Sequence, residues 1–160
     1  MLTLVLGGAR SGKSGVAEAI ANTCGPDVIY IATGISTDDD MAARIAAHKL
    51  RRPSLWETVE TTDLVATVDA LPDRPALIDS LGTWVASTDD FVVDIVGLVD
   101  ALGTRTADTV VVSDEVGMGV HPETAVGRAW RDALGEVNQA VAAIADDVLL
   151  VVAGRTLRLT

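Results

Sequence analysis

The chain has 160 residues, 49% of them hydrophobic and only 3% aromatic, and a formal net charge of −11. That length suits one domain, with a core built from Val, Leu, Ile and Ala. The acidic balance argues against a nucleic-acid binder, which needs a basic face, and against docking on an anionic membrane. Cys24 is the only cysteine, so neither an intrachain disulfide nor a Cys-based zinc site is expected. No signal-like segment and no apolar run of membrane-spanning length is visible, so a soluble, cytoplasmic protein is expected. Positive charge is concentrated: half of the twelve Lys and Arg residues are Arg10 and Lys13 in one segment and Arg44, Lys49, Arg51 and Arg52 in another. In so acidic a chain, those segments are where a polyanion can bind.

In chain order, Leu2–Leu6 is a continuous apolar run, as in strands buried on both faces of a parallel sheet. Gly7-Gly8-Ala9-Arg10-Ser11-Gly12-Lys13-Ser14 follows and fits G-x-x-x-x-G-K-[ST]. A helix is expected over Lys13–Asn22. Strand, glycine loop and helix together are the context of a phosphate-binding P-loop. Glycines let backbone N–H groups ring the phosphates, and the helix N-terminus adds partial positive charge. Lys13 is then expected to reach the β- and γ-phosphates, and the Ser14 hydroxyl to ligate Mg²⁺.

Val28–Ala32 reads as the second strand. Met41–Arg51 reads as a helix, with Asp38, Asp39 and Asp40 at its N-terminus and Lys49 and Arg51 near its C-terminus, the arrangement the helix dipole favours. Asp40, Arg44 and His48 fall at i, i+4 and i+8, along one side. Such a helix can be simply a well-charged surface element. An imidazole flanked by cations near a nucleotide can also attack phosphorus. Thr62–Leu71 is the next predicted helix. Ala76–Leu81 is a strand that carries Asp79, an acid placed to hold Mg²⁺ opposite a P-loop. A helix is predicted over Phe91–Leu102 and a strand over Thr109–Ser113, followed by Asp114 and Glu115. Asp79, Asp114 and Glu115 are alternative metal partners or general bases; each Asp can also just cap a turn.

Glu115 to Pro122 is a glycine-rich turn, with His121 expected on its surface. In the predicted helix Glu123–Ala145, the residues Ala125, Ala129, Ala133, Val137, Val141 and Ile144 form an apolar stripe. Arg131 and Asp132 suit a surface pair, and Asn138 and Gln139 suit packing or ligand contact. Val148–Ala153 is another buried strand, and Thr156–Leu159 an edge strand. The alternation predicts one domain over residues 1–160, an α/β fold of three layers around a mostly parallel sheet. Ligands in such sheets lie at the carboxyl ends of the strands, so residues after Leu6, Ala32, Leu81 and Ser113 are expected to share one rim.

The ordered motifs resemble the bifunctional adenosylcobinamide kinase / adenosylcobinamide-phosphate guanylyltransferase family of cobalamin biosynthesis. They are GGARSGKS at 7–14, YIAT at 30–33, D-x-M..RI..H...RP over 39–53, W-x-T-x-E over 56–60, LIDSL..WV at 77–85, EVGMG..PE at 115–123, R..RD..G..NQ over 128–139 and VV.G at 151–154. The resemblance implies a P-loop fold of RecA-like topology. It implies two reactions: phosphorylation of adenosylcobinamide by ATP or GTP, then transfer of GMP from GTP to the phosphate product through a guanylylated histidine, releasing pyrophosphate. On this chain that histidine matches His48. The implied nucleotide contacts match Gly7, Gly8, Ala9, Arg10, Ser11, Gly12, Lys13, Ser14, Ala32, Thr33, Gly34, Lys49, Leu50, Arg51, Arg52, Glu60 and Asp79. Mg²⁺ would accompany the nucleotide on Ser14 and Asp79. The implied partners are small molecules and further copies of the chain, as in trimers, with no nucleic acid or membrane.

Three features depart from the family pattern. Asp114 stands where an Asn usually precedes the Glu, Gly82 stands where a bulkier residue is usual, and the segment from Val85 to Thr109 is short. Without the resemblance, the residues also fit a P-loop kinase of another small alcohol or a non-catalytic nucleotide-binding module.

Overall fold

Short apolar runs alternating with amphipathic stretches build one sheet with helices on both faces. A computed structural model of the chain describes residues 1–34 and 53–159. Its strands are β1 (Leu2–Gly7), β2 (Ile29–Ala32), β3 (Glu57–Glu60), β4 (Ala76–Asp79), β5 (Thr109–Asp114), β6 (Asp147–Val152) and β7 (Arg155–Leu159). The described helices are α1 (Lys13–Cys24), α2 (Leu64–Asp69), α3 (Leu81–Ala86), α4 (Ile95–Thr104) and α5 (Ala125–Ile144), with a 3-10 turn at Asp89–Phe91. The strand order is β3-β2-β4-β5-β1-β6-β7. All neighbouring pairs are parallel except β6 with β7. This is the three-layer α/β P-loop architecture that the sequence predicts.

Successive residues of a strand face opposite sides of the sheet, and the core divides accordingly. Val5, Leu77, Val110 and Val112 pack with Ala17 and Ala21 of α1 on one face. Leu4, Ile31, Ile78 and Val111 pack with residues of α2 to α5 on the other. Leu4, Ile31, Ile78 and Leu134 are fully buried, each worth about 1.5–3 kcal/mol relative to exposure. Small side chains on α1 bring it close to the sheet, which fixes where its N-terminus points. Asp63, Ser80, Asp94 and Thr124 each accept a backbone N–H at a helix start, which stabilises a helix by about 1 kcal/mol. No described helix is long and apolar enough to cross a membrane.

Several sequence expectations shift. Ala76–Leu81 overshoots: the strand ends at Asp79, and Ser80 caps α3 in a reciprocal pair with Thr83. The apolar run 77–85 conceals that boundary. Strand β3 is not anticipated, because an edge strand of Glu-Thr-Val-Glu has only Val59 partly buried. The helix expected from Phe91 starts at Ile95, since Asp90 and Phe91 have positive φ (54° and 60°) and Asp94 is the cap. Asp63 likewise trims the helix expected over Thr62–Leu71 to Leu64–Asp69. On α5 the inward face is Leu134, Val137 and Val141, with Trp130 and Ala133 beside it. Ala125 and Ala129 are exposed, and Ile144 is at the margin of exposure. Ala133, Val137 and Val141 of the expected stripe do face the core, joined by the larger Trp130 and Leu134, while Ala125 and Ala129 do not. Trp84 and Trp56 are core residues. The predicted helix Met41–Arg51 lies outside the described residues.

Candidate active site

The carboxyl ends of the parallel strands form one rim, and strand register fixes which residues meet there. Gly7 lies opposite Asp114 on β5 and Val151 on β6, while Ala32 lies opposite both Asp79 and Glu60. The order β1-β5-β4-β2-β3 then sets the spans. With strands about 4.8 Å apart, Asp79 sits roughly 10 Å and Glu60 roughly 19 Å across the sheet from β1. The P-loop, Asp114 and Asp79 are therefore brought together, and Glu60 stands at the far edge.

Residues 7–14 form a compact turn between β1 and α1. Ser11 N donates to Gly8 O at 3.2 Å, and Val16 N donates to Gly12 O at 3.1 Å. Gly12, with φ 94°, takes the left-handed conformation at the start of α1, which favours glycine. A second support comes from the far end of the chain: Gly154, in the β6–β7 turn, donates its N–H to Ser11 O at 2.8 Å. Lys13 folds back over the loop. Its Nζ donates to Gly8 O at 3.3 Å and pairs with Asp114 Oδ1 at 2.5 Å. Ser14 opens α1, half-buried, while Ala9 and Arg10 are exposed. The loop thus presents a helix N-terminus and an ammonium on the same rim, a setting suited to phosphate.

Asp79 ends β4, and its Oδ2 accepts the Tyr30 hydroxyl at 2.9 Å. Thr33 is fully buried. Its hydroxyl donates to Ser80 O at 2.6 Å, lies 2.7 Å from Thr83 Oγ1 and accepts from Ser80 N at 3.1 Å. Ala32 and Thr33 therefore hold the β4–α3 turn that carries Asp79, and Gly34 packs against Thr83. Sequence reasoning did not single out Tyr30 or Thr83 for these contacts; an aromatic hydroxyl two residues before the strand end was the only signal.

The turn after β5 is fastened from within. Glu115 accepts Gly117 N at 2.8 Å and Met118 N at 3.3 Å, and its own N–H donates to Gly7 O at 3.1 Å. Arg128 donates to the carbonyls of Pro122 and Glu123. His121 is exposed and 2.9 Å from Arg131, which also pairs with Asp132. Asn138 donates to Asp114 O at 3.0 Å, tying α5 to the end of β5. Trp130 Nε1 donates to Gly82 O at 3.2 Å. Gly82 and Asp114, the two positions that depart from the resembled pattern, touch each other here.

Among the described residues, no group of three or more His, Cys, Asp or Glu could hold a metal ion. Ser14 and Asp79 are a hydroxyl and a carboxylate on this rim, the ligand types Mg²⁺ takes beside waters and phosphates. His48, Lys49, Leu50, Arg51 and Arg52 lie outside the described residues.

Compared with known families, residues 3–159 match the family described as CobU, cobinamide kinase / cobinamide phosphate guanyltransferase. The chain belongs to that family. Among relatives, the bifunctional adenosylcobalamin biosynthesis protein CobU of Salmonella typhimurium is 41% identical over 176 residues, covering 96% of this chain and 97% of that protein. The corresponding protein CobP of Pseudomonas aeruginosa is 38% identical over 165 residues, covering 96% and 94%. Among solved structures, the flagellar accessory protein FlaH of Methanocaldococcus jannaschii superposes with a TM-score of 0.51 at 13% identity, covering 97% of this chain and 74% of that one. That last likeness concerns the fold alone. The P-loop rim thus stands in a chain of a family described by a kinase and a guanyltransferase, whose relatives are named bifunctional.

Proposed function

We propose that this chain carries both reactions of its family: phosphorylation of adenosylcobinamide and guanylylation of the phosphate product. The observation that supports this most is the P-loop rim in a chain that matches the family from residue 3 to 159. In the first reaction an ATP or GTP triphosphate lies along residues 7–14, its phosphates facing backbone N–H groups and Lys13. The acceptor hydroxyl attacks the γ-phosphorus, loses its proton, and the nucleoside diphosphate leaves. Positioning and charge neutralisation provide most of the catalysis in such transfers. Mg²⁺, held by Ser14 and Asp79 with the phosphates, would neutralise charge that develops on the phosphoryl oxygens. Arg10, exposed on the loop, is available to the outer phosphates.

In the second reaction His48 is the nucleophile. Its neutral imidazole attacks the α-phosphorus of GTP, the bond to the β-phosphate oxygen breaks, and pyrophosphate leaves. A phosphate oxygen of the acceptor then attacks the same phosphorus, and His48 is released. A covalent step divides one difficult displacement into two. Lys49, Arg51 and Arg52, neighbours in sequence, supply cations for that charge. Leu50, Ala32, Thr33, Gly34 and Glu60 complete the proposed nucleotide surroundings. The working form is a cytoplasmic homo-oligomer.

The test is incubation of native protein and His48→Ala with Mg²⁺ and GTP labelled at the α-phosphate, followed by denaturation. Acid-labile, base-stable label on native protein and none on the variant is expected. A native protein that binds GTP and transfers its γ-phosphate but takes no label would overturn the covalent step and leave a P-loop kinase.

A further inference from the structure

We propose that Asp114 is a positioning residue for Lys13. Its carboxylate holds the P-loop ammonium in the nucleotide-free protein, so phosphates bind only by displacing it, and Gly82 leaves the space that makes this hold possible. The inference rests on residues 7–14 being the phosphate site.

The hold is built into the sheet. β5 lies beside β1, and the register sets Asp114 opposite Gly7 at the base of the loop. The Glu115 N–H bond to Gly7 O extends that pairing by one residue. The carboxylate therefore stands on a central strand. Its Oδ1 is 2.5 Å from Lys13 Nζ, and the two side chains are only 27% and 13% exposed. A partly buried, charge-assisted contact of this length is stronger than an exposed surface pair.

Gly82 is the other half of the arrangement. A Cβ built there would stand 2.3 Å from Asp114 Oδ2 and 3.4 Å from its Cγ. Any side chain at this position would push the carboxylate off its place. Neither backbone is free to yield. Trp130 Nε1 bonds Gly82 O and Asn138 Nδ2 bonds Asp114 O. Both donors come from α5, eight positions and just over two turns apart. One helix thus clamps the glycine and the aspartate against each other.

A triphosphate on the loop asks for the same ammonium. It must exchange the Lys13–Asp114 contact for a Lys13–phosphate contact, with a carboxylate left beside the phosphates. The pair therefore weakens nucleotide binding while it stabilises the empty site. Removing the charge at constant shape has opposite effects on the two quantities, which a merely structural aspartate would not.

The experiment uses calorimetric titration with a GTP analogue whose α–β bridge is methylene, so that no GMP can be transferred, together with thermal unfolding of the free proteins. For Asp114→Asn, Kd is expected to fall by about tenfold, the scale of one charge-assisted hydrogen bond, while the ligand-free unfolding midpoint drops. Gly82→Ala is expected to tighten binding in the same direction by displacing the carboxylate. The double variant should bind like Asp114→Asn alone, the non-additivity of a shared interaction. Unchanged or weaker binding in both single variants would overturn the proposal. Native protein that fails to bind the analogue would instead remove the phosphate-site reading beneath it.

Discussion

Replacing Gly7 by Ala tests whether the shape of the P-loop is dictated by the strands beneath it. A Cβ at Gly7 would lie 2.4 Å from Ser11 Oγ and 2.8 Å from the backbone oxygen of Val151. The first contact can be relieved by rotating Ser11, which forfeits the 3.3 Å bond from Lys13 N to its Oγ. The second cannot, because β1 is paired with β5 on one side and β6 on the other. Overpacking of this kind costs about 1–3 kcal/mol, which for a chain of this size lowers the unfolding midpoint by roughly 2–12 °C. Gly8→Ala is the internal control, since nothing lies within 4 Å of a Cβ at Gly8 and its φ is not positive. That variant should stay within about 0.5 kcal/mol of native. Thermal unfolding followed by circular dichroism, without nucleotide, reads both. A Gly7→Ala protein as stable as native, or a Gly8→Ala protein less stable than Gly7→Ala, would refute the reasoning.

Tyr30→Phe removes the hydroxyl that donates to Asp79 Oδ2. If Asp79 serves the metal, the variant should lose about threefold to tenfold in nucleotide affinity with Mg²⁺, the scale of one hydrogen bond, and nothing in EDTA; equal losses in both conditions would refute it. Cys24 lies far along α1 from the loop, and burial, then the charge of Asp108, raises the pKa of its thiol. An acid whose folded pKa is raised contributes stability that is complete below its unfolded value, about 8.5, and is lost as pH rises through the folded value. The stability of native protein should therefore fall more steeply above about pH 8.5 than that of Cys24→Ala, as read by unfolding midpoints from pH 7 to 10; parallel curves would exclude the effect.

The P-loop and the buried strands were legible because each has a local cause. Gly12 answers to its own left-handed φ and Gly7 in part to Ser11 four residues on, though its contact with the Val151 oxygen is long in range, and the Val/Leu runs of β1 and β5 need only burial on both faces. Edge strand β3 gave no such signal: Glu57, Thr58 and Glu60 are exposed, and only Val59 is partly buried. Helix α3 was hidden inside an apolar run whose break is a single Ser80 side chain. The contacts that set the site are longer in range. Tyr30 with Asp79, Trp130 with Gly82 and Asn138 with Asp114 join residues 49, 48 and 24 positions apart, so no window of sequence contains both partners. Motif spacing could nominate Asp79 and Asp114 as alternatives. Only strand order separated them, putting Asp114 on the strand next to the loop and Asp79 one strand further out.

The strand beneath the P-loop has no partner close to it in sequence. Both neighbours of β1 come from beyond residue 108, and the bond that steadies Ser11 comes from Gly154. A chain that holds only its first hundred residues contains the whole glycine loop, yet lacks everything that gives β1 its neighbours. Each of these pairings closes a loop of more than a hundred residues, and its closure entropy must be met before the contact can stabilise anything. Nucleotide therefore stabilises the chain only through the finished fold, because the loop takes its shape only once those distant strands are paired with β1. Ligand binding here rewards only the finished fold, and nascent or trimmed chains must find their way without it.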